Sequence, residues 1–224
     1  MNACQTLSKG PGYAVLPERL PTPLNVAELE RFASRFGALS LRDGGVAAWP
    51  VKPRKAEGTF SERAGEARFH TDSQYHATPE PFFLLACDTP ARDGGENLLL
   101  TRDDVVEIAR DALGSDGVRR LREPVWSWVI PEVFQVPGCS NVSPPAPVLA
   151  EDGTIRWRID NLVTQSTDDL ALAHALADAL DASRRRTTLK LESGQMLLCD
   201  NWRVLHARAT FSDPDRLLYR IRLN

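Results

Sequence analysis

The sequence predicts a mainly β single-domain protein with flanking helices, and three observations carry that prediction. The chain has 224 residues, enough for one sizeable core and short for two, so residues 1–224 are expected to form one domain. Short segments rich in aromatic and branched residues, split by proline and glycine, fill the middle and the C-terminal part. Only three stretches carry apolar residues at helical spacing.

The first helix is expected over Asn25 to Phe36. Asn25 can cap it, Val26, Leu29, Phe32, Ala33 and Phe36 recur at helical spacing, and Gly37 stops it. From Val46 to about Leu100 the pattern turns to strands broken by Pro50, Pro53, Gly58, Pro79, Pro81 and Gly94-Gly95. Thr101 to Leu113 then reads as a second helix, with Asp103 and Asp104 in its first turn. Trp126 and Trp128 share one face of a short strand, where packing is the expected role.

A third helix is expected over Asp168 to Ser183, burying Leu170, Ala173, His174, Ala177 and Leu180. Arg184 to Arg186 follow it, where cations complement the negative end of the helix dipole. The last strands are Thr188 to Leu191, Met196 to Asp200, Val204 to Ala209 and Leu217 to Leu223.

With 42% hydrophobic and 25% charged residues, the composition is that of an ordinary globular protein. A net charge of -3 argues against a nucleic-acid partner, which would ask for a basic excess on one face. No apolar run approaches the roughly 20 residues that span a bilayer. Cys4, Cys87, Cys139 and Cys199 are far apart with no secretory signal before them, which fits a reduced, cytoplasmic setting. A small-molecule partner is expected; the oligomeric state is not addressed by the sequence.

The chemistry is carried by Phe69-His70-Thr71-Asp72. On a strand, residues two apart share a face, so His70 and Asp72 are expected to converge. Far downstream, Asp200 to Arg208 places His206 on an apolar strand. Two histidines and one carboxylate form a facial ligand set suited to iron(II), with positions left open for a bidentate cosubstrate and dioxygen. One H-x-D triplet alone is weak, because a lone histidine is more often packed or exposed. The terminal strand supports it: Arg216, Leu218, Arg220 and Arg222 fall on one face and Leu217, Tyr219, Ile221 and Leu223 on the other. An arginine grips a carboxylate through two parallel hydrogen bonds, and Arg216 is the expected anchor.

In order along the chain, His70-Thr71-Asp72, Gly94-Gly95-Glu96-Asn97, Asp200 through His206, and Arg216-Leu217-Leu218-Tyr219-Arg220 resemble the TauD/TfdA and clavaminate-synthase-like branch of the Fe(II)/2-oxoglutarate dioxygenases, over roughly Phe36 to the C-terminus. The resemblance implies a double-stranded β-helix, or jelly roll. It implies that His70, Asp72 and His206 hold iron and that Arg216 binds the distal carboxylate of 2-oxoglutarate. Arg220 is then expected to face the substrate or the other carboxylate. Asn97 stands where the family often has a threonine that donates to 2-oxoglutarate, and its amide is expected to donate instead.

The implied activity uses dioxygen and 2-oxoglutarate to oxidise a C–H bond, releasing succinate and CO2. Hydroxylation is the default outcome; desaturation and ring closure share its beginning. Asp72 fills the place that related halogenases leave open for chloride, so oxygen chemistry is expected. Arg68, Gln74, Arg158, Asp160 and Arg220 are candidate substrate contacts, whose mixed charges suggest an amino acid or a derivative. Each also has a plainer role: Asp160 can pair with Arg158, Gln74 can satisfy a strand end, and His76 can sit at the surface. The rival readings are a zinc hydrolase with the same ligands, or a jelly-roll protein that binds a metal and turns nothing over.

Overall fold

The computed structural model describes residues 3–7, 10–42, 45–54, 62–135 and 138–224. The turn expected at Gly58 lies outside them. Two antiparallel sheets face each other across an apolar core, as a jelly roll requires.

The larger sheet is built from β1 (Tyr13–Val15), β2 (Ala48–Val51), β4 (Phe82–Thr89), β9 (Met196–Asp200) and β11 (Leu217–Leu223), in the order β1-β9-β4-β11-β2. The smaller contains β3 (Ala67–His70), β5 (Asn97–Thr101), β8 (Thr187–Leu189) and β10 (Val204–Arg208), in the order β3-β10-β5-β8. A two-stranded ribbon joins β6 (Ser127–Trp128) to β7 (Leu162–Val163). Alternation along each strand sorts the side chains. Phe83, Cys87, Leu99, Leu197, Cys199, Val204 and Leu218 meet between the sheets.

The outer faces are covered by helices. On the larger sheet, Leu84, Ala86, Leu198, Ile221 and Leu223 pack against α1 (Ala3–Leu7) and α2 (Val26–Ala33). On the smaller, Leu100, Leu205 and Ala207 pack against α3 (Arg102–Leu121) and α4 (Thr167–Ala182). Trp126, Trp128 and Trp157 complete that layer and are fully buried, so packing is the role of the first two, as expected.

The helix boundaries follow local chemistry. The Asn25 side chain accepts from the Glu28 N–H and caps α2. Thr101 and Asp104 form a reciprocal capping box on α3. That helix runs past its expected end at Leu113, because Gly114 adopts a left-handed φ of 69° and the chain resumes helical geometry beyond a kink. Arg186 donates to the carbonyls of Asp181 and Ser183 at the end of α4, the role expected of that basic run.

Some details differ from expectation. Val26, Leu170 and His174 are exposed, and Leu176 takes the buried place on α4. Pro50 does not break a strand: it lies within β2 opposite Tyr219, and β2 tolerates it because it is an edge strand. Among the described residues, no helix is long and apolar enough to cross a membrane.

Candidate metal centre

Strands β3 and β10 are neighbours, and their register sets His70 opposite His206. The imidazole centroids are 4.2 Å apart. Asp72 lies in the turn after β3, so the expectation that one strand presents His70 and Asp72 on a shared face is corrected. The reason is Thr71, which leaves the ladder and bonds to another segment. Its N–H donates to the Trp157 carbonyl at 2.9 Å, and the Trp157 N–H donates to its hydroxyl at 3.1 Å.

The three side chains still converge. Nε2 of His70 and Nε2 of His206 each lie 3.9 Å from Asp72 Oδ1, and one ligand atom from each of the three residues falls within 4.8 Å of the others. Two donors bonded to one ion at about 2.1 Å each can stand no more than about 4.2 Å apart, so each histidine can share an ion with Asp72. His70 Nδ1 donates to the Arg68 carbonyl at 2.8 Å, which leaves the Nε2 lone pair facing Asp72.

Electrostatics keep the trio in its ligating form. Burial holds the His70 imidazole well below its usual pKa, and the neighbouring His206 and Arg158 act in the same sense. Burial likewise brings His206 down to about 4; Asp72 opposes this, and Arg220, Arg158 and Arg222 reinforce it. Burial raises the Asp72 carboxyl, but Arg220 and Arg222, with the two histidines, outweigh it and hold the group ionised. Asp72 Oδ2 is buried without a hydrogen-bond partner. Two neutral imidazoles and one ionised carboxylate fit a divalent transition-metal ion.

Asp72 is gripped from two sides. Arg220 Nη1 donates to its Oδ1 at 2.9 Å, and Arg222 Nε stands 3.5 Å from Oδ2. Asn201, which is 1% exposed, holds its backbone. Sequence reasoning singled out the Asp200-to-His206 run but gave Asn201 no task, because a hydrogen bond across 129 residues leaves no mark in local pattern.

From the metal centre a cavity of about 80 Å³, lined by His70, His206, Phe83, Asn97, Arg220 and Arg216 among others, leads to the expected anion anchor. Arg216 is 2% exposed and its Nη1 has no hydrogen-bond partner. The guanidinium carbon stands 4.8 Å from the Phe211 ring centroid, and burial with Arg208 nearby brings its pKa down to about 10. The Gly-Gly landmark acquires a physical reason here. A Cβ at Gly95 would stand 3.3 Å from Arg216 Nε, and one at Gly94 would sit 1.9 Å from the Thr210 carbonyl oxygen. Asn97 lines the cavity, with one amide hydrogen directed to the Leu189 carbonyl at 3.3 Å.

The remaining candidates separate. Arg68 is corrected: it leaves the site and pairs with Asp178 and Asp181 of α4. The cause is a bulge, since β3 places Ala67 opposite Arg208 and His70 opposite His206, so three steps on β3 face two on β10. Arg158 pairs with Asp160 at 3.1 Å, and its charge reaches both histidines. Gln74 is buried, and its amide donates to Asn161 at 2.9 Å.

The fold is thus a jelly roll whose mouth carries a His-Asp-His cluster beside a buried arginine. Residues 133–222 match the family model described as "Taurine catabolism dioxygenase TauD, TfdA family", a stretch that holds His206, Arg216 and Arg220. The fold is similar to that of asparagine oxygenase in complex with Fe(II), 2S,3S-3-hydroxyasparagine and succinate: TM-score 0.77, 20% identity, 98% of this chain and 76% of that one. It is also similar to the non-haem iron oxygenase OrfP in complex with Fe and alpha-ketoglutaric acid: TM-score 0.73, 16% identity, 99% of this chain and 78% of that one. The expected resemblance to the TauD/TfdA family is borne out, the matched stretch holding the last two of the four landmarks, and so is the jelly-roll expectation.

Proposed function

We propose that the protein is an Fe(II)- and 2-oxoglutarate-dependent oxygenase that hydroxylates a C–H bond of a small amino-acid-like metabolite, acting as a single domain in the cytoplasm. The observation that carries this reading is Arg216, a buried guanidinium without a carboxylate partner among the described residues, lining the same cavity as both histidines. A buried arginine beside the ligands is what a dicarboxylic keto acid needs, since the guanidinium can pair with its distal carboxylate while the keto-acid end meets the metal.

His70, Asp72 and His206 would hold the iron, which when bound with 2-oxoglutarate and dioxygen supplies the oxidising power, with succinate and CO2 released. Arg216 would pair with the distal carboxylate of 2-oxoglutarate, its stacking on Phe211 fixing the guanidinium plane. Asn97 has a second amide hydrogen for the same ligand. Arg220 holds Asp72 in register, and its position in the cavity lets it meet the keto acid as well. Arg158 and Asp160 offer opposite charges suited to a zwitterion, as amino-acid substrates require. The hydroxylated amino acids named with asparagine oxygenase and with OrfP in complex with (3S)-hydroxy-L-Arg agree with that choice.

The test is an anaerobic titration of the iron(II)-loaded protein with 2-oxoglutarate, watching for the visible metal-to-ligand charge-transfer band of a chelated keto acid. A saturable band supports the reading. No band from a protein shown to carry iron would overturn it and favour hydrolysis on zinc.

A further inference from the structure

Strand β10 carries a second buried guanidinium two residues beyond His206. Its alternation is regular: Leu205 and Ala207 pack on the helix side and Val204 lies between the sheets, so His206 and Arg208 fall on the inner face. Across the ladder Arg208 stands opposite Asn97, and Leu99, two residues on from Asn97, also lies between the sheets. Directly opposed residues hold their Cβ atoms roughly 4.5–5.5 Å apart, so Arg208 and Asn97 are side by side on that face. Both line the cavity that His70, His206 and Arg216 line.

Phe211 brings the two arginines together. The Arg208 guanidinium carbon is 4.9 Å from its ring centroid, and that of Arg216 is 4.8 Å from the same point. The two charges are thus no more than about 10 Å apart, a range over which burial leaves a Coulomb interaction little screened. Arg208 is 8% exposed, and burial brings its pKa down to about 10. Its place is fixed: Nε donates to the Gly65 carbonyl at 3.1 Å and Nη2 to the Arg63 carbonyl at 2.9 Å. The Gly65 N–H donates in turn to the Phe211 carbonyl at 2.9 Å. A carbonyl accepts a hydrogen bond but carries no net charge, so these bonds orient the guanidinium without neutralising it. Among the described residues lining the cavity are three arginines and no carboxylate. Arg220 stands at the metal end, bonded to Asp72, while Arg208 and Arg216 share the end at Phe211.

We propose that Arg208 is a specificity-determining residue whose charge, acting with that of Arg216, selects keto acids bearing a second, distal carboxylate over those that end in a neutral group. The inference rests on the oxygenase reading above and adds a residue to it. A carboxylate brought to this end relieves the repulsion between two like charges as well as pairing with Arg216. A neutral chain end does neither.

The experiment titrates the full chain, loaded with iron(II) under argon, with two keto acids of equal chain length while following the charge-transfer band. One is 2-oxoglutarate; the other is 2-oxovalerate, which presents the same keto-acid end and lacks the distal carboxylate. Arg208→Gln is expected to weaken 2-oxoglutarate binding by about tenfold and to leave 2-oxovalerate within about twofold of the parent, since only the first carries the charge that Arg208 meets. Arg208→Lys keeps the charge and loses the forked grip on Gly65 and Arg63, and should retain most of the preference for 2-oxoglutarate. With Arg208 untouched, Arg216→Gln should still prefer 2-oxoglutarate by about threefold or more. These last two comparisons decide the matter even where Arg208→Gln does not fold. Equal weakening of both keto acids in Arg208→Gln would make Arg208 a loop tie and overturn the proposal, as would unchanged 2-oxoglutarate affinity. So would an Arg208→Lys protein that loses the preference as fully as Arg208→Gln, or an Arg216→Gln protein that binds both keto acids equally. Absence of the 2-oxoglutarate band in the wild type removes the oxygenase reading, and this inference with it. A band that forms and is indifferent to Arg208 removes the inference alone.

Discussion

Asn201 and Asp72 exchange two hydrogen bonds across the sheet end: the Asp72 N–H donates to Asn201 Oδ1 at 2.7 Å, and Asn201 Nδ2 donates back to the Asp72 carbonyl at 3.0 Å. The same Nδ2 also donates to the Glu80 carbonyl at 2.9 Å. One side chain on the turn leading to His206 therefore holds the carboxylate ligand in place. Asn201→Ala is expected to weaken iron(II) binding by about 10- to 100-fold, the usual cost of losing an outer-shell partner. Anaerobic calorimetric titration measures it, and an affinity within twofold of the parent would reduce Asn201 to a loop tie.

The metal ligands and the anion anchor should separate in their effects. Asp72→Ala and His206→Ala are expected to abolish iron-dependent turnover. Arg216→Ala should keep the metal and lose 2-oxoglutarate affinity by roughly 10- to 100-fold, since charge-assisted hydrogen bonds contribute about 1.5–3 kcal/mol. Unchanged keto-acid affinity in Arg216→Ala would transfer the anchor to Arg220.

Gly94 should not tolerate a side chain. Its φ is 58°, and an added Cβ would collide with the Thr210 carbonyl oxygen. Gly94→Ala is expected to destabilise the fold by at least about 2 kcal/mol, from strain and overlap together. A denaturant midpoint equal to the parent's would contradict this.

Helices α3 and α4 are joined by Arg120, whose guanidinium donates to both oxygens of Asp169 at 2.7 and 2.6 Å. The hydrogen bond from Arg120 holds the Asp169 carboxyl below its ordinary pKa. A depressed carboxylate adds stability above its unfolded pKa of about 3.9, and the gain disappears as pH falls through the lower folded value. Asp169→Asn should therefore lower Tm by roughly 2–6 °C at pH 7. The gap to wild type should narrow below about pH 4; a gap that stays constant down to pH 3 would show that the charge is not its source.

Arg68→Gln is expected to leave substrate and 2-oxoglutarate kinetics within twofold of the parent and stability within about 1 kcal/mol. Its partners, Asp178 and Asp181, belong to a partly exposed pair on α4. A rise in substrate KM would return Arg68 to the site.

What could be read in the sequence was mostly local. Asn25 and Thr101 announce their helices because a cap bonds to residues three positions away. The alternation of β11 is visible because a strand repeats every two residues, and it places Arg216 and Arg220 on the inner side. Arg68 was misplaced for a reason that pattern does not carry: a one-residue bulge reverses the facing of a side chain without altering composition. The same holds for Asp72, whose convergence with His70 depends on a turn held by Trp157, far along the chain. Gln74 stands close to the metal motif in sequence, yet its amide bonds to Asn161, 87 residues on, a contact that only the folded chain makes.

The pairing of His70 with His206 has a consequence for the protein before any chemistry begins. β3 is the outermost strand of its sheet and is only four residues long. Among the described residues, β10 is its only ladder neighbour. A metal shared by the two histidines would act as a clasp on that strand, fastening the margin of the sheet. Without the clasp, β3 would keep its ladder with β10, the Arg68 ion pairs to α4 and the Thr71 bonds to Trp157, so the metal would add a fourth tie at the edge where a sheet is most open to pairing with other strands. The ion would then fasten a sheet margin as well as occupy a site.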